Sequence, residues 1–461
     1  MAAAERPNVL VLMCDQIQAQ RLGCADSIAH TPFLDALAAE GIHYTHAITC
    51  HGQCVPARAA FMTGLYPHEC GVVVNYGFHG HQNRLSVEHR TLGHAFRDAG
   101  YRTAYFGKCH FGIPLGGMGF DVAADYDRMR VEDEEAEELG IAYVPRTLRR
   151  DYKAARDAVE YLRGYGPDDK PLFFMFSTNL PHPPFFHDIH HASRFPVDDM
   201  LLAESFYQES FDTKPPFQEA HARDGRHGAF DEGSMREEVA QYYSMMAAMD
   251  EHLGQVAEEF RRLGMWDDTL VLFFADHGDM MGAHRMLKKG TLPYDELYRI
   301  PCLLKLPRGV SSRRQVIDDM VSSIQLPGTL ARLAGVRGDF PHGDLVDTLS
   351  RSAPLEDEAV FFEHYAAYWG THPFYGMRTR DRKYIRYFGE DDTEELYRLA
   401  NDPHELTNVA GNPRYASLME QLSGQADAWW ERTGGRDLAY YESDDFRANR
   451  HNGGVPEGAD Q

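Results

Sequence analysis

Residues 269–278 read TLVLFFADHG, an apolar run that passes directly into Asp276, His277 and Gly278. A short unbroken apolar run without alternation is the pattern of a strand buried on both faces, as in a parallel sheet. Three more segments carry it. Residues 8–13 lead to Asp15 and Gln16, residues 102–106 lead to Lys108 and His110, and residues 172–177 lead to Asn179 and His182. In open α/β sheets, ligands bind beyond the carboxyl ends of the strands. Parallel strands place those ends on one edge, so all four would meet in one crevice. A single Asp after a strand is ordinarily a turn or cap. Four ends that jointly bring carboxylates, an amide, imidazoles and a lysine carry the inference.

Helical patterns lie between these runs. Thr31 and Pro32 open one as N-cap and first turn, and Gly41 closes it. Residues 91–99, 151–163 and 235–263 read as others. Strands alternating with helices predict an α/β fold, a mostly parallel sheet sandwiched by helices. Residues 186–233 are rich in His, Pro, Asp and Phe without a clear period, and read as a surface excursion of lid or substrate-loop type. After about residue 354 the texture changes. Residues 359–364, 375–379 and 383–388 read as short antiparallel strands, with a turn at Arg380-Asp381-Arg382; residues 395–399 and a helix over 413–432 follow. The expected organisation is a catalytic domain over 1–353, a smaller C-terminal α+β subdomain over 354–439, and a polar tail over 440–461.

Composition narrows the function classes. The 461 residues hold 46 Lys plus Arg against 70 Asp plus Glu, a formal net charge of −24. Such a surface repels nucleic acid and anionic membranes, and no apolar run approaches the ~20 residues of a membrane helix. Seven cysteines without C-x-x-C spacing, and no secretory pattern before Pro7, read as free thiols in a reducing compartment. The expected location is the cytoplasm. No oligomeric state follows from the sequence.

Asp15, Gln16, Asp276 and His277 supply three hard oxygens and one imidazole. Mostly oxygen ligation suits Ca²⁺ or Mg²⁺, and the imidazole admits Mn²⁺. A further feature is residues 54–64, CVPARAAFMTG. Pro56 suits the first helical position and Gly64 the end, which puts Cys54 at or just before a helix N-terminus. Backbone N–H groups there favour an anion, Arg58 adds a permanent cation one turn on, and a thiol so placed has a lowered pKa. The alternative is a buried cysteine at a tight turn.

The order Cys54, Pro56, Arg58, then Thr63-Gly64 resembles the sulfatase signature C-x-P-x-R followed by T-G. Pro7-Asn8-Val9-Leu10 running into Asp15 resembles the family's first strand and metal ligand. Gly107-Lys108-Cys109-His110 resembles its G-K-x-H, and Leu180-Pro181-His182-Pro183-Pro184 its H-P-P-F loop. Residues 275–284 with Lys289-Gly290 resemble its second metal motif, and residues 396–405 its C-terminal L-Y-x-L-x-x-D-P-x-E. The resemblance spans residues 7 to about 408.

That resemblance implies an alkaline phosphatase-like fold and a sulfuric ester hydrolase. It implies that Cys54 is oxidised to formylglycine by a dedicated formylglycine-generating enzyme. It places one divalent cation, Ca²⁺ foremost, on Asp15, Gln16, Asp276, His277 and the modified residue 54. Arg58 would steady the formylglycine hydrate. Lys108, Lys289, His182 and Asn75 would face the sulfate. His182 or Lys289 would protonate the leaving oxygen, and His110 would take the proton released as sulfate departs. His284 and Lys288 would lie behind the site or at the surface.

Asp15-Gln16 departs from the Asp-Asp of many sulfatases. Asp-Gln also occurs in choline-sulfatase-like and phosphonate monoester hydrolase branches, the latter without the Lys108-x-His110 pair. The expected substrate is a small anionic sulfate ester or short sulfated sugar. Hydrolysis of a phosphonate monoester or phosphodiester on the same scaffold is the alternative, and an inactive binding protein with unmodified Cys54 the third.

Overall fold

The computed structural model describes residues 6–75, 84–127, 149–166, 170–223, 231–355, 358–366, 372–388 and 392–437. The tail 440–461 lies outside the described residues.

Among the described residues the larger sheet has nine strands. They are β1 (Asn8–Cys14), β2 (Ile42–Ile48), β3 (Arg102–Gly107), β4 (Val122–Asp125), β5 (Leu172–Ser177), β6 (Thr269–Ala275), β7 (Arg299–Ile300), β8 (Cys302–Lys305) and β9 (Val316–Ser322). The spatial order is β4-β3-β5-β1-β6-β8-β2-β7, with β9 paired to β2. The four runs read from sequence are the contiguous parallel centre, β3-β5-β1-β6. Strands β5 and β6 are buried at every position. That explains their lack of alternation, since both faces are covered by helices. On the far side, β8 runs antiparallel to β6 and to β2.

The sheet's main helices are α1 (Pro32–Glu40), α2 (Cys54–Thr63), α3 (Arg150–Arg163) and the 31-residue α6 (Glu232–Arg262). Helix α1 begins and ends where Pro32 and Gly41 predict, but its cap differs from expectation. Thr31 makes no side-chain cap. Asp250, on α6, accepts the Phe33 and Leu34 N–H groups instead, each at 2.9 Å. Thr31 Oγ1 accepts from Gly23 N and bonds Asp35 Oδ1.

The excursion also differs from the expected loop. Its described part contains α4 (Glu204–Gln208) and α5 (Pro216–Arg223), and Glu209, Lys214 and Gln218 are buried. Glu209 pairs with His284 and, at 3.1 Å, with Lys214. Lys214 Nζ donates to Tyr294 Oη, and Gln218 Nε2 donates to Glu395 Oε1 at 3.0 Å. Buried ions persist only when paired, so these pairs fasten the excursion to the segment after β6 and to the C-terminal sheet. It is a brace rather than a free lid.

The C-terminal sheet is an antiparallel meander of β10 (Val360–His364), β11 (Phe374–Arg378), β12 (Arg382–Tyr387) and β13 (Glu394–Arg398). Helix α7 (Ala416–Arg432) covers it, with Trp430 stacked on Tyr375 at 4.8 Å and Trp429 on Phe361 at 4.9 Å. Glu363 N donates to Cys50 O at 2.9 Å, which docks β10 on the loop before α2. No helix among the described residues is long and apolar enough to cross a membrane.

Candidate active site

Helix α2 begins at Cys54, two residues before the start that Pro56 alone suggested. Pro56 is tolerated in the first turn because the first four helix N–H groups have no intrahelical partner. Gly64 ends the helix in the left-handed conformation at φ 70°. The α2 terminus points Cys54 at the carboxyl edge of the sheet. Its Sγ lies 2.9 Å from Lys289 Nζ, 3.1 Å from His277 Nε2 and 3.6 Å from Asp15 Oδ1. Burial and the Asp15 carboxylate raise the thiol's pKa. Lys289, Lys108 and His277 outweigh them and leave it lowered, which favours the thiolate.

The carboxylates are locked by Arg58, fully buried in α2. Its Nε donates to Asp276 Oδ2 at 2.7 Å and one terminal nitrogen to Asp15 Oδ2 at 3.1 Å. The other donates to Lys108 O and Ser177 Oγ. Arg58 is thus engaged by both acids and by the ends of β3 and β5, and it reaches residue 54 through Asp15 rather than by touching the sulfur. Lys108 Nζ sits 2.7 Å from the same Asp15 oxygen. Gly107 permits this close assembly: its φ is 110°, and a Cβ there would meet Ser177 O at 1.9 Å. Gly278 is constrained alike, with Glu296 O 1.9 Å from any added Cβ.

One ligand atom each from Asp15, Cys54, Asp276 and His277 lies within 4.8 Å of the others. His277 Nδ1 donates to Gly278 O at 2.8 Å, which turns Nε2 towards Cys54 Sγ, 3.1 Å away. Gln16 has φ 72°, and its amide nitrogen donates to Asp279, which turns Oε1 inward to accept from Lys289 Nζ at 2.9 Å. The Lys289 ammonium therefore lies among the donor atoms and answers their need for positive charge. Two carboxylates, an amide oxygen and an imidazole nitrogen make a donor set that fits a hard or borderline divalent cation.

The remaining expected residues border this cluster. His182 Nδ1 donates to Pro183 O at 2.6 Å, which leaves its Nε2 bare. Burial, Lys289 and Lys108 hold its pKa well below the usual histidine range. His110 has φ 56° and is depressed likewise by burial, Lys108 and Arg58. Asn75 Oδ1 accepts the Val55 N–H at 3.0 Å and so caps α2. Lys288 offers its backbone N–H to Asp279 at 2.9 Å, and His284 is buried against Glu209 and stacked on Tyr294 at 3.9 Å. Neither has a bond to Cys54.

Three buried or half-buried acids were not singled out by the sequence. Asp279 orients Gln16. Asp127 accepts the Cys109 and His110 N–H groups at 3.1 and 2.5 Å, fixing the turn that aims His110. Asp151, in the first turn of α3, accepts the Asn179 and Leu180 N–H groups and holds the loop that carries His182.

The sulfatase family model matches residues 7–336, and the C-terminal model of N-sulphoglucosamine sulphohydrolase matches 282–430. An ulvan-active sulfatase of Formosa agariphila is 28% identical over 451 residues, covering 91% of this chain and 80% of that protein. The structure of BT4656, solved with its substrate D-glucosamine-2-N,6-O-disulfate, superposes with a TM-score of 0.80 at 18% identity, covering 94% of this chain and 99% of that one. The phosphonate monoester hydrolase of Agrobacterium radiobacter superposes at 0.76 with 23% identity, covering 93% and 96%. These last two likenesses establish the fold. With its parallel-sheet edge, its Cys54–Arg58 helix start and a family model spanning most of its length, the chain belongs to the sulfatase family of the alkaline phosphatase superfamily.

Proposed function

We propose that the protein hydrolyses sulfate esters through a formylglycine made from Cys54 by a formylglycine-generating enzyme. The observation that carries this reading is the placement of Cys54 Sγ at a helix N-terminus, 2.9 Å from Lys289 and 3.6 Å from Asp15. The hydrated aldehyde supplies one hydroxyl to attack sulfur and a second whose deprotonation later releases sulfate. Asp15, Gln16, Asp276 and His277 would hold one divalent cation, Ca²⁺ foremost, which supplies Lewis acidity towards the hydroxyl and the sulfate.

The chain's own residues do the rest. Lys108 and Lys289 place two cations beside residue 54, where charge builds on the transferring group. Asn75 has its oxygen engaged by α2. Its amide N–H groups are therefore the function it can offer an anion. Lys289 is an ammonium and can protonate the departing alkoxide. His182, held neutral with a bare Nε2, orients that oxygen's proton. His110, neutral by burial and its cationic neighbours, accepts the proton from the second hydroxyl. Arg58 keeps Asp15 and Asp276 in register throughout.

A phosphonate monoester also carries a single negative charge, and the fold is shared with a phosphonate monoester hydrolase. Competing rates on 4-nitrophenyl sulfate and a phenylphosphonate ester separate the two. Preference for the sulfate by kcat/KM is expected, and preference for the phosphonate would replace this reading with the second.

A further inference from the structure

Gln16 holds a conformation that its residue type disfavours. It is fully buried at φ 72°, in the left-handed region that residues other than glycine enter at a cost. Such a conformation persists only where the surroundings impose it. The Gln16 N–H donates to Asp276 Oδ1 at 3.1 Å, and the side chain is held between Asp279 and Lys289. These contacts come from the segment that follows β6. The Gln16 carbonyl oxygen has a different partner: it accepts the Tyr242 hydroxyl at 2.9 Å, from 226 residues further along the chain on helix α6.

Tyr242 is 1% exposed. Burial, then the Asp279 carboxylate, raises its hydroxyl well above the usual tyrosine range, so the proton stays on the oxygen. The same oxygen accepts Gln18 N at 3.4 Å, and Gln18 Nε2 donates to Asp279 O. The hydroxyl thus donates to one peptide of the turn after β1 and accepts from another two residues on. The ring has a separate task. It packs edge-on against Phe185 at 5.9 Å, in the loop that carries His182.

The amide at position 16 makes this support matter. A carboxylate attracts a cation through its net charge, from either oxygen. A neutral amide does so only when its oxygen, and not its NH₂ group, faces inward. The backbone of Gln16 decides where that oxygen starts from. We propose that Tyr242 is a positioning residue for Gln16: its hydroxyl holds the left-handed peptide that keeps the Gln16 amide oxygen facing the Asp15, Asp276 and His277 donors. The proposal rests on the reading of those residues as a cation site and adds to it a residue from outside the cluster.

Four full-length proteins, converted to the same extent at residue 54, separate an effect through Gln16 from a general effect on the fold: wild type, Tyr242→Phe, Gln16→Gly, and the double variant. Phe keeps the ring against Phe185 and removes only the hydroxyl. Gly takes a positive φ without the cost of a Cβ and has no amide to aim. Each protein is stripped of metal with a chelator, and binding of Ca²⁺ is followed by calorimetry into the millimolar range, with Mn²⁺ and then Mg²⁺ used if Ca²⁺ gives no signal. Denaturant unfolding is recorded alongside. Tyr242→Phe is expected to weaken cation binding about ten- to a hundredfold when Gln16 is present. In the Gln16→Gly protein the same change is expected to shift binding by no more than about twofold, as for sites that do not couple. Equal losses in the two backgrounds would make Tyr242 a general support and overturn the proposal, as would unaltered binding by Tyr242→Phe. If Tyr242→Phe does not fold, the double variant decides. Folding regained with Gln16→Gly supports the proposal, because glycine needs no hydroxyl to hold it there, and failure of both to fold overturns it. Wild-type protein that binds none of the three cations would remove the cation reading itself.

Discussion

Replacing Asp151 by Ala is expected to impair turnover from outside the catalytic cluster. The carboxylate takes the Asn179 N–H through both oxygens, at 2.8 and 3.0 Å, and the Leu180 N–H at 2.8 Å. All three residues are buried. Ala leaves two buried donors without a partner, at about 1–3 kcal/mol each, so about 2–6 kcal/mol together. Part of this is offset. Burial holds the Asp151 carboxyl above the usual range, so its ionised form already costs stability in the folded state. A net loss of about 2–4 kcal/mol is the resulting expectation. The same two bonds set the course of the chain into His182, whose N–H donates to Asn179 O at 2.8 Å. A displacement of about 1 Å at a catalytic group can cost about a hundredfold in rate. Denaturant unfolding and kcat/KM for sulfate release, measured on the same matured protein, give both quantities. Glu160→Ala, exposed on the same helix, should stay within about 0.5 kcal/mol of wild type. Asp151→Ala with wild-type stability and wild-type kcat/KM would refute the reasoning. Lowered stability with unchanged kcat/KM would confine Asp151 to folding.

Lys289→Ala should lose far more kcat than Lys288→Ala, because only Lys289 reaches Cys54, at 2.9 Å; equal losses in steady-state assays would mean the wrong lysine has been assigned. Glu209→Ala removes the partner of two buried groups, His284 and Lys214, and should cost about 3–5 kcal/mol in denaturant unfolding; a loss near zero would mean the excursion does not brace the fold. Burial pushes Asp250 up to about 7 from an ordinary 3.8. The folded state thus binds more protons than the unfolded state over that interval, and stability falls as pH rises from about 4 to about 7. Asp250→Asn should remove that part of the slope in unfolding measured across the interval, and an unaltered slope would contradict the assignment.

The centre of the fold was legible because burial on both faces leaves a plain mark. Strands β1, β3, β5 and β6 are apolar without alternation, and each runs straight into its functional residues. The edge was less legible. Strand β2 reads IHYTHAI, whose histidines and threonine mask a strand that makes both parallel and antiparallel pairs. The excursion lacked a period because its interior contacts are ion pairs and hydrogen bonds, such as Glu209 with His284 and Gln218 with Glu395, which leave no apolar rhythm. The cap of α1 shows the limit of local rules. Thr31 occupies the right position, but the Asp250 carboxylate, more than two hundred residues away in sequence, takes the N–H groups. At the site, Asp15 and His277, which touch Cys54, follow strand ends and could be found, whereas Lys289 lies well beyond β6 and was legible only through the motif it shares with the family. Those that orient them could not. Asp151 looks like any acid in a helix's first turn, and Asp127 lies in a turn whose partner is known only once β3 and β4 are paired. Asp279 stands two residues after His277, and its task depends on Gln16 arriving from the other end of the domain.

The most direct measurement compares turnover with the chemical state of residue 54. Protein co-expressed with graded amounts of a maturing enzyme would be digested, the peptide containing position 54 weighed, and sulfate release from 4-nitrophenyl sulfate recorded on the same samples. Turnover that rises in proportion to the aldehyde-bearing fraction, and is absent in Cys54→Ala, is the expected result. Turnover independent of that fraction, or retained in Cys54→Ala, would contradict a nucleophile at residue 54.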